Sequence, residues 1–342
     1  MSRIFLVTGA AGHLGTSVVR ELTKRGERVR ALVLPDDSAA GLAGLPVEMV
    51  EGDVTCPPSL DLLFRGLDAD EVIFIHLAGI VTISNAYVQR IYDINVSGTA
   101  NVVAKCKQHK VKRLVYASSV HAIPEAPDNQ VIREVDSFDP EKVEGFYAKT
   151  KAEASEIVMQ AGRDGMDVVV VHPSGICGPG DFGRGHITQL ILDFLDHRLP
   201  SAVHGAYDFV DVRDVAYGIV QAALKGRSGE GYLLSNKQFT IENILDIAAK
   251  LTGRKPIRSF LPIWFAKMTA PLAELWYKLL KQPPLFTRYS LYTLQSNSNF
   301  THAKATRELD YKTRPMTETI RDTILFLKKH NRFKKNVTLV KA

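Results

Sequence analysis

Ile4-Phe5-Leu6-Val7-Thr8-Gly9-Ala10-Ala11-Gly12-His13-Leu14-Gly15 decides how the rest of this 342-residue chain is read. Ile4 to Val7 is a short apolar run of the kind that forms a strand buried on both faces. Leu14, Val18 and Leu22 then recur at helical spacing, and Gly26 marks the helix end. Strand, glycine turn and helix in that order give each glycine a separate task. Gly9 permits a sharp turn, Gly12 lets a pyrophosphate approach the backbone, and Gly15 lets the helix pack close to the strand. The amides of the first helical turn, with the helix dipole behind them, face an anion.

The alternation continues along the chain. Val29–Leu34, Val47–Val50, Val72–His76, Leu114–Ala117 and Val168–His172 read as strands. Helices fit between them, around Leu60–Arg65, Tyr87–His109 and Ala152–Gln160. This pattern predicts an α/β fold, a Rossmann-type doubly wound parallel sheet with helices on both faces. Ligands of such sheets sit at the carboxyl ends of the strands. Gly9–Gly15, His76–Ile80, Ser118–Ala122 and His172–Asp181 all follow strands, so they gather along one edge. From about Gly178 the pattern loosens, with loops at Gly178-Pro179-Gly180-Asp181 and Pro200. A helical stretch follows at Ile187–Leu195, then a strand-to-helix passage at Asp208–Leu224 and a short strand at Tyr232–Leu234. The simplest division is a sheet domain over 1–177 with a return segment at about 205–236. A smaller, mostly helical C-terminal substrate lobe takes 178–204 and 237–331, and a basic tail takes 332–342.

The formal net charge of +6 is unevenly spread. Lys312 to Ala342 holds nine Lys or Arg against Glu318 and Asp322, so the remainder is close to neutral and the basic pI reports a tail. A solvated end is the simpler reading; weak contact with an anionic membrane surface is the other. No nucleic-acid-binding motif is present, so no nucleic-acid partner is expected. Three widely spaced cysteines, Cys56, Cys106 and Cys177, argue for a reducing compartment. No apolar run reaches membrane-spanning length and no signal peptide is visible, which makes the expected location cytoplasmic. The ten histidines form no ligand-like cluster, so no metal is expected.

Tyr147 and Lys151, in Phe146-Tyr147-Ala148-Lys149-Thr150-Lys151, stand four apart. On a helix that spacing puts phenol and ammonium on one face, one turn apart. The cation favours the phenolate and lowers the tyrosine pKa, and a phenol so tuned can exchange a proton with an alcohol or ketone. Alone, the spacing fits a solvated helix face equally well.

Taken in order, the motifs carry a resemblance over nearly the full chain to the extended short-chain dehydrogenase/reductases, the NAD-dependent epimerase/dehydratase family. They are Thr8-Gly9-x-x-Gly12-x-x-Gly15, Gly52-Asp53-Val54, His76-Leu77-Ala78-Gly79, Asn95-Val96-x-Gly98-Thr99, Ser118-Ser119, Tyr147-x-x-x-Lys151 and His172-Pro173-Ser174-Gly175-Ile176-x-Gly178-Pro179-Gly180. Phe209-Val210-Asp211-Val212-x-Asp214-Val215-Ala216 adds a match in the later part of the chain. The resemblance implies an enzyme using NAD or NADP, with a catalytic set of Ser119, Tyr147 and Lys151. Ser119 would polarise a carbonyl, Tyr147 would be acid in reduction and base in oxidation, and Lys151 would hold the ribose hydroxyls. Cofactor contacts are implied at Gly9, Gly12, His13, Leu14 and Gly15, at Asp36, and at Asp53 and Val54 beside the adenine. Leu77, Ala78 and Gly79 would run along the cofactor, Asn95 would support the site, and Ser118, Tyr147, Lys151, Pro173, Ser174, Gly175 and Ile176 would complete it. Asn95 fits a backbone-bridging role equally well, and Ser118 fits a plain strand end.

The chain departs from the pattern at the end of its second strand, which reads Ala31-Leu32-Val33-Leu34-Pro35-Asp36-Asp37. Neither the usual acid nor the usual arginine occupies the discriminating position. Between Ala31 and Phe64 there is no Lys or Arg, so the balance leans to NAD, with Arg30 the cation that could turn back toward a phosphate. His121 stands where related sugar dehydratases carry an extra acid. Cys177, in the same region, reads as a small buried filler. Val81, His121 and Arg184 are the candidate substrate contacts. Substrate choice falls to an aromatic-rich stretch from Phe260 to Tyr292, which fits a lid helix, an apolar cleft or shallow membrane docking. This flavour is nearer the dihydroflavonol 4-reductase and 3β-hydroxysteroid dehydrogenase branches. The leading expectation is therefore a secondary alcohol/ketone oxidoreductase for a steroid-, flavonoid- or terpenoid-like small molecule, acting as a homodimer. A nucleotide-sugar epimerase or dehydratase with tightly bound NAD is the alternative, and a non-catalytic nicotinamide-sensing protein the third.

Overall fold

The computed structural model describes residues 2–82, 86–128, 130–183, 185–262, 264, 268 and 288–333. Seven strands form one parallel sheet: β1 (Arg3–Thr8), β2 (Arg28–Val33), β3 (Glu48–Glu51), β4 (Glu71–His76), β5 (Arg113–Ala117), β6 (Val168–Pro173) and a later strand, Glu230–Leu234. The sheet order runs from Glu230–Leu234 through β6, β5, β4, β1 and β2 to β3. The order reverses at β1, with β4 on one side and β2 on the other. A crevice opens at such a switch point, outside the carboxyl ends of the strands.

Alternation along each strand sorts the core into two layers. Ile4, Leu6, Phe74, Leu114, Tyr116, Val168 and Val170 face one side. Phe5, Val7, Ile73, Ile75, Val115, Ala117, Val169 and Val171 face the other. The first layer is covered by α2 (Pro57–Phe64), by a long helix built from α3 (Gln89–Tyr92), a π-turn (Asp93–Ser97) and α4 (Gly98–Gln108), and by α5 (Phe146–Arg163). The second is covered by α1 (His13–Lys24) and, beyond the helix α6 (His186–Leu195), by α7 (Val212–Lys225). Covering both faces explains why the strands read as unbroken apolar runs.

The chain beyond β6 builds the remaining layer from smaller pieces. β7 (Gly175–Cys177) pairs with β9 (Ala206–Asp211), and Lys237–Thr240 adds an antiparallel edge to β9. β8 (Ala202–Val203) pairs with Phe260–Leu261. The stretch after 237 is thus less purely helical than its sequence predicts. The helix Ile241–Thr252 begins with a capping box of Thr240 and Asn243, and ends on Gly253 in the left-handed region. Helix α5 also starts six residues earlier than expected, which places Tyr147 and Lys151 in its first two turns. Among the described residues, no helix is long and apolar enough to cross a membrane.

The first turn is fixed by space as much as by dihedral angle. Gly9 has φ +68°, and a Cβ there would stand 2.6 Å from the Ala78 amide nitrogen. A Cβ at Gly15 would overlap the Gly9 carbonyl oxygen and lie 2.7 Å from Ala10 Cα. Gly15→Ala is therefore expected to lower stability in urea unfolding by about 1–3 kcal/mol. Gly12→Ala should cost less, because its Cβ would lie 3.3 Å from the Gly9 oxygen. Equal midpoints for Gly15→Ala and wild type would contradict this packing.

Candidate active site

Helix α1 begins at the glycine turn without a side-chain cap. Its first amides therefore lack an intrahelical partner and are left for an anion. His13, in that turn, bonds the Pro179 carbonyl through Nε2 at 3.1 Å, tying the glycine loop to the loop after β7. Burial holds its pKa below the ordinary histidine value. The cradle that Gly9, Gly12 and Gly15 leave free of side chains fits a dinucleotide pyrophosphate.

Across the switch point, Ser119 follows β5 and Tyr147 and Lys151 lie on α5, all three buried. The Ser119 hydroxyl accepts from the His121 amide at 3.2 Å and lowers the pKa of the neighbouring Tyr147 phenol. Burial pushes the phenol up to about 12, against the lowering effect of Ser119. This differs from the expectation that Lys151 tunes the phenol downward. The reason is where the ammonium points: Lys151 Nζ donates to Tyr116 Oη at 2.9 Å and to the Ala117 carbonyl at 2.7 Å. Burial drives Lys151 down to about 7. Gly79 borders the same space, since a Cβ there would lie 3.7 Å from Lys151 Nζ and 3.2 Å from Asn95 Oδ1.

The other expected residues divide by what their polar atoms do. Asn95, in the π-turn, accepts from Ile80 N at 2.8 Å and donates to Ile80 O and Thr150 Oγ1, each at 3.1 Å. It clamps the loop after β4 to α5, which is the backbone-bridging role. Ser118 bonds Ser155 at 2.6 Å and so faces the α5 helix. Ser174 donates to the buried Asp208, whose carboxyl burial raises to about 6. Asp53 uses its carboxylate within its own turn, on Thr55 N and Oγ1, both at 2.8 Å. Val54 packs on Gly98, and Leu77, Ala78 and Gly79 follow β4 toward the Lys151 side chain. Pro173 ends β6, and Gly175 and Ile176 lie in β7 against β9. Asp36 is exposed just beyond β2. Arg30 is engaged elsewhere: it donates to the Leu63 and Arg65 carbonyls at 2.7 and 2.9 Å and lies 2.9 Å from Glu48.

His121 comes to the site, its ring centroid 6.0 Å from that of Tyr147 in an edge-on arrangement. It stacks on Tyr207 at 5.7 Å and meets the Tyr207 hydroxyl at 3.1 Å. Burial lowers its pKa to about 4, so it is neutral at physiological pH. Val81 is exposed. Arg184, most of the stretch from Phe260 to Tyr292, and the tail beyond Phe333 lie outside the described residues. Sequence reasoning missed Tyr116 and Tyr207. Each reads as an ordinary strand residue, and only the fold brings Tyr116 to Lys151 and Tyr207 to His121. Cys177 is buried, as a small filler would be.

Glycine cradle, switch point and parallel sheet together define a dinucleotide-binding α/β enzyme fold. Residues 5–235 match the NAD dependent epimerase/dehydratase family, and the chain belongs to that family of nicotinamide-dependent enzymes. It is 34% identical over 312 residues to "Sterol demethylase protein B" of Methylococcus capsulatus, covering 89% of this chain and 92% of that one. It is 28% identical to "Putative dihydroflavonol 4-reductase" of Synechocystis, covering 96% of each. Among solved structures, gox2253 superposes with a TM-score of 0.81 at 28% identity, over 97% of this chain and all of that one. WbmH of Bordetella bronchiseptica, solved with NAD+, shares the fold at a TM-score of 0.75 and 18% identity, over 96% of this chain and 99% of that one.

The depressed Lys151 pKa has a consequence for folding. Between about 7 and the ordinary 10.5, the unfolded chain holds a proton that the folded chain lacks. Stability contributed by this group therefore rises with pH across that window. The wild-type minus Lys151→Met stability difference, from urea unfolding of the ligand-free protein, should climb between about pH 7 and pH 9 by up to about 1.4 kcal/mol per unit. A flat or falling difference would contradict burial of the ammonium.

Proposed function

We propose that the protein interconverts a secondary alcohol and a ketone on a moderately hydrophobic, ring-containing small molecule, through Ser119, Tyr147 and Lys151. The observation that carries this reading is the burial of Ser119, Tyr147 and Lys151 together beside the glycine cradle, with Tyr147 one helical turn from Lys151 and Ser119 acting on its phenol. Ser119 donates to the substrate oxygen and polarises the carbonyl. Tyr147 gives its proton to that oxygen during reduction and takes it back during oxidation. A phenol held near 12 suits the donor role. For oxidation, the positive charges of Lys151 and of oxidised nicotinamide favour the phenolate. The bound cofactor supplies or accepts the hydride. Lys151 holds its ribose hydroxyls with the donor that Tyr116 and Ala117 leave over.

NAD is the favoured cofactor. Asp36 stands exposed at the end of β2, and Arg30, the nearest candidate for a 2′-phosphate, is held by Leu63, Arg65 and Glu48. Residues 1–177 and 205–236 form the cofactor half and 178–204 with 237–331 the substrate lobe. His121 and Tyr207 form the stacked wall beside Tyr147. Relatives named for sterol, dihydroflavonol and 3β-hydroxysteroid chemistry support a flat polycyclic substrate. A homodimer through α3–α4 and α5 fits this arrangement.

A hydride-transfer screen with NADH and NADPH against steroids, flavonoids, simple carbonyls and nucleotide sugars tests the reading. Turnover is expected with a polycyclic ketone and NADH, and Tyr147→Phe should lower kcat about a thousandfold. An NADPH preference would overturn the cofactor assignment. Interconversion of a nucleotide sugar without net redox change would overturn the substrate class.

A further inference from the structure

The Lys151 ammonium rests on Tyr116 and the Ala117 carbonyl, beside a row of polar side chains whose hydrogen-bond directions can be fixed one after another. The Asn95 carbonyl can only accept, so Thr99 Oγ1 must donate to it, at 2.7 Å. That uses the one Thr99 hydroxyl proton. Thr99 Oγ1 is therefore the acceptor for His76 Nε2 at 3.0 Å. His76 Nδ1 is then bare and accepts from Thr8 Oγ1 at 2.7 Å. The imidazole is neutral, with its pKa pushed by burial to about 3. An ammonium can only donate, so a phenol lone pair of Tyr116 faces Lys151 Nζ at 2.9 Å. The same ammonium lies 4.6 Å from the centroid of the Tyr116 ring.

We propose that Tyr116 is a positioning residue for Lys151, its phenol oxygen and ring face together setting where the ammonium points. Tyr116 and Ala117 O take two of the three ammonium protons, and the third is left for the cofactor. This rests on the reading that Lys151 binds the cofactor ribose. The titratable groups around the ammonium are Tyr116 from β5, Tyr147 from its own helix, His76 from β4 and His172 from β6. No carboxylate among the described residues raises the Lys151 pKa. An acceptor oxygen and a ring face therefore do for the charge what an acid does elsewhere. The neutral row beside it joins three separate sequence motifs, Thr8-Gly9-x-x-Gly12-x-x-Gly15, His76-Leu77-Ala78-Gly79 and Asn95-Val96-x-Gly98-Thr99.

The test uses the full chain with isotope-labelled lysine. The Nζ resonance of Lys151, assigned by its loss in Lys151→Met, is titrated in wild type, Tyr116→Phe and Tyr116→Leu, and NAD affinity is measured for all four proteins. Tyr116→Phe keeps the ring and removes the oxygen, so the Lys151 midpoint should fall by about one pH unit and NAD should bind about tenfold more weakly. Tyr116→Leu, which removes the ring face as well, should move both quantities the same way by more. A residue that merely fills space would leave the midpoint in place. An unmoved midpoint in Tyr116→Phe overturns the proposal; if that variant does not fold, Tyr116→Leu decides in the same terms. Wild-type NAD affinity in Lys151→Met would instead overturn the ribose role of Lys151, whatever Tyr116 does.

Discussion

Burying an ammonium without a carboxylate partner is the constraint around which this crevice is arranged. Desolvation alone brings Lys151 to about 7, so whatever keeps it charged at neutral pH must come from fixed dipoles. The Ala117 carbonyl at the end of β5, the Tyr116 oxygen and the Tyr116 ring supply them. Those groups are in place because β5 lies between β4 and β6 in the sheet and because α5 packs its first turns over that edge. A helix starting at Ala152 would leave Tyr147 and Lys151 outside it. The observed start at Phe146 is what turns a four-residue spacing into a shared face.

The parallel sheet was legible because its strands are buried on both faces, which leaves long apolar runs in the sequence, and because Gly9, Gly12 and Gly15 mark a turn that tolerates no side chain. The pairing of Tyr147 with Lys151 was legible for the same kind of reason, a short-range spacing with one geometric consequence. Tyr116, Thr99 and Tyr207 were not. Each sits in a segment whose local pattern is satisfied by strand or helix packing, and their partners lie 35, 23 and 86 residues away in the chain. The direction of the Lys151 side chain was misjudged for a related reason. Spacing shows which residues share a face but not which strand an ammonium will lean on. The strands at Lys237–Thr240 and Phe260–Leu261 escaped because each gains its partner, β9 or β8, only in the folded chain.

In the proposed reaction, charge and proton are handled by separate parts of the crevice. The glycine turn and the unpaired amides of α1 meet the negative charge of the cofactor. The Tyr116 oxygen and ring, with the Ala117 carbonyl, hold the positive charge of Lys151. Between them lie the buried Ser119 and Tyr147, at the place where a carbonyl oxygen would enter. His121, neutral and stacked on Tyr207, adds a flat wall without adding charge. Such a wall favours a ring over a diphosphate, and it stands beside the phenol that the proposed chemistry uses.

Isotope transfer tests the central claim most directly. NADH deuterated on its reactive carbon is incubated with the best polycyclic ketone from the substrate screen, and the product is examined by mass spectrometry and NMR. The account predicts one deuterium at the new carbinol carbon, with transfer nearly abolished in Tyr147→Phe. A product carrying no deuterium, or equal transfer by Tyr147→Phe, would contradict it.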